Sequence, residues 1–377
     1  TSKEIAEAID DIGGQINAFT TKEYTCFYVN VLDEHIDIAI DVLSDMLKNS
    51  LFNEEDIIEE KGVIYEEIKM YQDSPEDLVY DLLSEGMFEN TSLAMPILGT
   101  IESLNNIDRE VLIDYYKTYY TPKNMVVSIA GNIKNEETIK LLEYNFGNLK
   151  GNSMENVLDK SNDNHIFERK VKGLTKDTEQ LNLCIGMEGI PIGNDELYPL
   201  HIMNAIFGGS MSSRLFQKIR EDKGLAYSVY SHPSSYKKIG SFIIYTGLNK
   251  IEVRNVLQLI KEDIEDLKKN FISKTELLRS KEQLKGSYIL GMESTSSRMS
   301  ELGRNELLLG KIQSPAETLK KIENVNMLQI ENIIDKVFNY NKFNVSYVGN
   351  VDRNDKLEDI ISNIFFVWGD INESKNC

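Results

Sequence analysis

GGSMSSRLFQKIREDKGLAYSVYS, residues 208–231, decides the fold, because a glycine loop, a helix and a strand follow one another in it without a break. Gly208 and Gly209 permit backbone angles that other residues avoid, Ser210 or Ser212 can cap a helix, and residues 211–220 supply that helix. Gly224 ends it. Leu225, Ala226, Tyr227, Ser228, Val229 and Tyr230 then alternate and carry aromatic and β-branched residues, the pattern of a strand. This order brings Arg220 and Tyr227 together at one turn. The plain alternative is a loop, helix and strand held by packing alone; a phosphate loop is excluded, since no Gly-Lys-Ser follows.

The 377 residues suffice for two domains with sizeable cores, and 41% apolar with 27% charged residues marks the chain as globular. No run of eighteen apolar residues and no apolar signal segment occurs, so no membrane partner is expected. A net charge of -20 argues against nucleic acid, which needs basic patches, and suits basic peptides. Cys26, Cys184 and Cys377 are too scattered for a disulfide framework or a thiolate metal site, so a reducing compartment, the cytoplasm, is expected. The four histidines form no ligand pair: His35 starts a helix, His201 sits in an apolar helix, and His232 follows the strand. His165 and Glu168 make HxxE, but Arg169 stands where a second histidine would be.

Along the chain, Thr1 and Glu4 form a capping box without an initiating methionine, so residues are expected upstream. A helix over residues 2–12 stops at Gly13-Gly14, and residues 15–29 alternate as a strand or hairpin. Helices follow over residues 36–48, from Asn53 past Met70, over 75–83 and over 108–119, and MVVSIAGNI, residues 125–133, reads as a buried strand. Residues 151–172 turn polar and suggest a linker between domains at 1–150 and 173–377. The second half repeats the plan. Residues 208–231 with a strand at 241–248 answer residues 13–29, the helices at 251–269 and 273–289 answer 36–70, and NVSYVGNV at 344–351 answers MVVSIAGNI. The duplication predicts an α+β fold of two homologous domains, each a mainly antiparallel sheet flanked by helices.

The second long helix carries seven acidic residues between Asn53 and Tyr71. At about 100° per residue, Glu59 and Glu66 fall on a polar sector, whereas Glu60 and Glu67 lie between Val63 and Met70 on one side and Ile57, Ile64, Ile68 and Tyr71 on the other. Carboxylates in an apolar sector need an ion pair, hydrogen bonds or a metal. A structural salt bridge is the alternative here.

Gly-Gly, Ser-Ser-Arg-Leu, Arg220 and Gly-Leu-Ala-Tyr together resemble the second-half signature of the insulinase and mitochondrial processing peptidase (M16) family, zinc peptidases with an inverted HxxEH motif. The resemblance covers the whole chain and implies a clamshell of two domains and a Zn2+-dependent endopeptidase acting on peptides or unfolded polypeptides by metal-activated water. It implies that Glu67 is the distal metal ligand and Glu60 the carboxylate that orients a ligand histidine. Gly286 stands near the corresponding place in the second half, so the first half alone would bear metal. Asn17, Ala18 and Phe19 match the edge strand to which substrate adds. Arg220 would hold substrate carbonyls and Tyr227 would donate to the developing oxyanion. Resemblance to the short members implies a homodimer or pairing with a related subunit. HxxEH itself is absent from these residues, an absence read as truncation; the non-catalytic rival is a partner subunit of the same fold that binds peptides without hydrolysis. A chain beginning at Thr1 is expected to hold no stoichiometric zinc and to cleave no peptide, and metal analysis with a peptidase assay that finds both would overturn this.

Overall fold

The computed structural model describes residues 1–149, 165–352 and 355–366. In chain order its elements begin α1 (Ser2–Asp10), β1 (Gln15–Thr20), β2 (Thr25–Asn30), α2 (Ile36–Lys48), α3 (Glu54–Asp73) and α4 (Pro75–Met87). They continue α5 (Ile101–Asn105), α6 (Arg109–Tyr119), α7 (Asn135–Phe146), β3 (Lys170–Thr175), β4 (Leu181–Glu188) and α8 (Leu197–Phe207). The remainder is β5 (Ala226–Ser235), β6 (Gly240–Leu248), α9 (Val253–Asn270), α10 (Lys274–Gly291), α11 (Thr295–Leu309), α12 (Pro315–Asn324), α13 (Met327–Val337), β7 (Asn344–Gly349) and α14 (Leu357–Phe365). The repeat is visible in this order, since a hairpin followed by two helices occurs as β1-β2-α2-α3 and again as β5-β6-α9-α10.

Packing divides the chain into two compact units that interleave in sequence. Unit 1 holds Thr1–Ile68, Ile97–Leu158 and Ile289–Ile312; unit 2 holds Lys69–Pro96, Asp159–Tyr288 and Gln313–Cys377. Each half therefore lends one helix to the unit built mainly from the other: α4 goes to unit 2 and α11 to unit 1. The linker expected over residues 151–172 falls largely outside the described residues, and its last three residues are strand. Residues 150–164 lie outside the described residues, and Lys170 to Lys172 belong to β3, whose ladder with β7 pairs Val171 with Val345.

Unit 2 contains the core. Its five-stranded sheet runs β3-β7-β4-β6-β5, antiparallel except for the β3–β7 pair. Leu183 and Ile185 of β4, Ile244 of β6 and Val345 of β7 face one cluster with α8, α9, α13 and α14. The opposite face meets α4, where Val79, Leu83 and Met87 pack on Cys184, Ile243, Tyr245 and Val348. Gly186 makes room for this helix, since a Cβ there would run into Met87 Sδ and the Leu83 methyls. Ser346 Oγ of β7 donates to Val79 O of α4 at 2.7 Å. Unit 1 holds the matching contact, because Ser128 occupies the place in MVVSIAGNI that Ser346 has in NVSYVGNV, and its Oγ donates to Met299 O of α11 at 2.8 Å.

The strands of unit 1 among the described residues are β1 and β2, paired antiparallel with Asn17 opposite Tyr28. Residues 125–133 do not form the buried strand that their composition suggests. No described strand lies beside them to complete a ladder, and Val126 and Val127 are 38% and 48% exposed. Apolar residues fully covered in unit 1 are Ile9, Ala39, Ile40, Ile68 and Leu104. Leu83→Ala, which empties a site 2% exposed beneath α4, is expected to cost about 3 kcal/mol, and Ser346→Ala about 1 kcal/mol, in urea denaturation.

Candidate functional site

The loop at Gly208 and Gly209 is tight for a reason other than unusual backbone angles, since Gly208 has φ -152°. A Cβ on Gly208 would collide with Ser231 and one on Gly209 with Asn204. Close approach is what excludes side chains here. Ser231 N donates to Gly208 O at 3.0 Å, Gly209 N donates to Asn204 O at 2.7 Å, and Ser231 Oγ donates to Asn204 Oδ1 at 2.7 Å. The loop is thereby stitched to the strand that returns beside it. Ser210 does not cap the next helix, its Oγ donating instead to Ala205 O. Gly224, with φ +61°, does end that helix in the left-handed conformation.

The helix itself starts at Arg214 and becomes a π-helix over Phe216–Glu221, with Asp222 N donating to Gln217 O at 2.8 Å. One residue more than an α-turn needs is accommodated there, an irregularity that recurs at functional sites. A second irregularity follows at once. In the β5–β6 ladder Ala226 pairs with Leu248 and Ser228 with Gly247, so Tyr227 is the extra residue of a β-bulge. The bulge resets the alternation: Ala226 and Val229, three apart, face the same cluster, while Tyr230 faces the opposite one. Simple alternation from Leu225 to Tyr230 therefore fails at Tyr227, and the small residue at Ala226 followed by Val229 is the sequence signal for it.

Tyr227 is left 73% exposed. The Arg220 guanidinium lies over its ring at 5.1 Å and over the Phe216 ring at 4.9 Å. The turn joins these two side chains as its sequence indicates. Neither the guanidinium nor the Tyr227 hydroxyl has a hydrogen-bond partner among the described residues. Both remain available as donors.

Tyr230, by contrast, is half-buried and hydrogen-bonded on two sides, with a separate buried bond beside it. Tyr80 OH donates to Tyr230 OH at 3.1 Å, Tyr230 OH donates to Glu76 Oε1 at 3.1 Å, and Tyr245 OH donates to Asn182 Oδ1 at 2.7 Å. Burial pushes the Tyr80 and Tyr245 phenols up and the His232 imidazole down.

In unit 1, Asn17, Ala18 and Phe19 lie exposed on β1, and Asn17 Oδ1 accepts from Ala18 N at 2.7 Å. A concavity of about 400 Å³ beside them is lined by Ala6, Asp10, Gly14, Gln15, Ile16, Asn17 and Tyr28. Glu60 and Glu67 lie on α3 as the periodicity indicates, but the apolar sector expected to enclose them is open. Both are exposed, as are Val63 and Met70 at 52% and 71%, and Ile68 is the buried residue of the helix. The small core of unit 1 leaves that sector uncovered. Among the described residues no three of His, Cys, Asp and Glu stand close enough to hold a metal ion. A catalytic zinc takes three protein ligands, so this donor set does not fit one. No helix among the described residues is long and apolar enough to cross a membrane.

Glu276, which accepts from Arg214 Nη2 at 2.9 Å, has one further feature of use. Burial raises its carboxyl, but hydrogen bonds from Ser273 and Arg214 outweigh this and hold it below the usual range. The folded protein thus binds this proton less tightly than the unfolded chain, so the Arg214–Glu276 pair stabilises above the ordinary carboxylate range and its contribution is lost as pH falls through the depressed value. Urea midpoints of wild type and Glu276→Gln are expected to differ at neutral pH and converge in acid.

Residues 1–101 match the model of the insulinase family (Peptidase family M16), and residues 106–284 match that of the peptidase M16 inactive domain. An uncharacterized zinc protease of Bacillus subtilis, YmxG, is 46% identical over 338 residues, covering 90% of this chain and 81% of the relative. An uncharacterized zinc protease of Streptomyces coelicolor is 36% identical over 326 residues, covering 85% and 71%. Among solved structures, a protease from Helicobacter pylori superposes with TM-score 0.83 at 18% identity, over 92% of this chain and 84% of that one. A peptidase M16 inactive domain from Pseudomonas fluorescens gives TM-score 0.83 at 16% identity, over 92% and 83%. Those two similarities establish the α+β fold, and the family-model matches over residues 1–101 and 106–284, with 46% identity to a zinc protease over 90% of the chain, establish more: the chain belongs to the insulinase (M16) family of peptidases.

Proposed function

We propose that this chain serves a zinc-dependent metalloendopeptidase acting on peptides or unfolded polypeptides, and that its own part is to hold the substrate backbone. The observation that carries this reading is the Arg220–Tyr227 pair. A π-turn and a β-bulge present two unpaired donors side by side on an otherwise regular scaffold. An arginine fork suits peptide carbonyl oxygens, and a phenol hydroxyl suits an oxygen on which charge grows during acyl transfer. β1 adds an edge on which no described strand lies beyond β2, and there the side chain of Asn17 accepts from Ala18 N–H, a place an extended peptide can take. The net charge of -20 favours basic polypeptides.

The names of the relatives support zinc as the cofactor. Glu67 is the residue of this chain assigned to the metal, and Glu60 the carboxylate that orients a ligand. The described donors do not by themselves assemble a site for it. A cytoplasmic setting and pairing with a second copy or a related subunit belong to the same proposal. The second reading is a peptide-binding subunit without hydrolysis, favoured by the match of residues 106–284 to an inactive-domain model and by the incomplete donor set.

Two measurements test this proposal, the first its substrate role, which both readings share, and the second its metal. Arg220→Ala is expected to weaken the binding of fluorescein-labelled casein by about tenfold, measured by anisotropy, as loss of a charge-assisted hydrogen bond implies. Unchanged affinity removes the substrate role. In protein that includes any residues preceding Thr1, Glu67→Gln is expected to abolish stoichiometric zinc, and a zinc content equal to wild type refutes the ligand assignment.

A further inference from the structure

We infer that Arg214 is a positioning residue for the Arg220–Tyr227 pair, an inference that rests on the substrate role given to that pair above. Arg214 touches neither residue. It opens the short helix that carries Arg220, and its guanidinium grips three separate pieces of unit 2. Nη1 donates to Asp266 Oδ2 of α9 at 2.7 Å, Nη2 and Nε donate to Glu276 Oε1 of α10 at 2.9 and 3.2 Å, and Nη2 reaches Phe271 O in the turn between them at 3.4 Å. Phe271 is itself strained, a non-glycine residue at φ +57° and ψ -149°. That backbone is where the Phe271 carbonyl and Glu276, near the start of α10, are both brought within reach of one side chain.

One turn along, Lys218 Nζ donates to Asp263 Oδ1 of α9 at 2.8 Å. Arg214 with Asp266 and Lys218 with Asp263 thus form two parallel clasps between the short helix and α9. Leu215 and Ile219, fully buried, fix how deep the helix sits. The clasps fix its rotation. Rotation is the variable that decides whether Arg220, inside the π-turn, lies over Tyr227 or swings away from it. A planar fork can satisfy Asp266, Glu276 and Phe271 O at once, whereas a lysine at this place brings a single point of charge.

The test uses the full chain with 3-fluorotyrosine at position 227, read by its fluorine resonance, together with anisotropy of fluorescein-labelled casein. Arg214→Lys is expected to shift the resonance in the same direction as Arg220→Ala and to weaken casein binding by about tenfold. The double variant is expected to bind no more weakly than Arg220→Ala alone. Glu276→Gln, which loosens one arm of the grip and leaves the Asp266 contact, is expected to move the resonance the same way. An unmoved resonance in Arg214→Lys, or an effect on affinity that adds to that of Arg220→Ala, overturns the positioning role. If Arg220→Ala leaves casein affinity unchanged, the substrate role fails instead, and the fluorine resonance still decides on Arg214.

Discussion

A strand buried on both faces needs an apolar layer on each side, and β7 and β4 obtain their second layer from α4, a helix encoded some 260 residues before β7 ends. Much else in unit 2 follows from that demand. Gly186 stays small so that Met87 and Leu83 can reach the sheet, and Ser346, in the middle of an apolar strand, spends its hydroxyl on a carbonyl of the incoming helix. The sheet so sandwiched keeps an unbroken register in its β3–β7, β7–β4 and β4–β6 ladders and shifts register in the β6–β5 ladder at its edge. That is where the bulge at Tyr227 sits.

The irregularities are local and their supports are not. A π-turn and a bulge each forfeit some regular hydrogen bonding, and each persists because neighbouring contacts overdetermine it. For the bulge the neighbours are Ala226 and Val229, both seated in the main cluster on either side of Tyr227. For the π-turn they are Leu215 and Ile219 beneath and the ionic clasps to α9 beside it. Asp263 illustrates the cost of such a clasp: burial pushes its carboxyl up against the pull of Lys218, and its Oδ2 has no hydrogen-bond partner among the described residues.

Short-range signals in the sequence suffice where the physics is local. The Thr1–Glu4 capping box, the helix at Ile36–Lys48, and the Gly224 stop all stand where short-range chemistry places them. Strand patterns failed where partners decide. Residues 125–133 carry the same motif as β7 but find no described neighbour to pair with, and Lys170 to Lys172 look like linker yet form a ladder with Asn344 to Ser346. The helical period placed Glu60 and Glu67 among apolar residues correctly, but whether a sector is covered depends on distant segments, and here Val63 and Met70 are bare. The union of Arg220 with Tyr227 was legible because a single turn joins them; the reach of Arg214 to Asp266 and Glu276 was not, being a matter of tertiary distance.

The reciprocal loan of α4 and α11 also governs the order in which this chain can fold. Val79 and Ser346, which bond to each other, are separated by 267 positions, and Ser128 and Met299 by 171. Loops of that length close slowly, so the protein has high contact order despite its many helices. The apolar side of α4 is covered by β4, β6 and β7, all of which follow it in the chain. Neither compact unit is therefore a continuous stretch of chain, and completing each requires segments from both halves of the sequence.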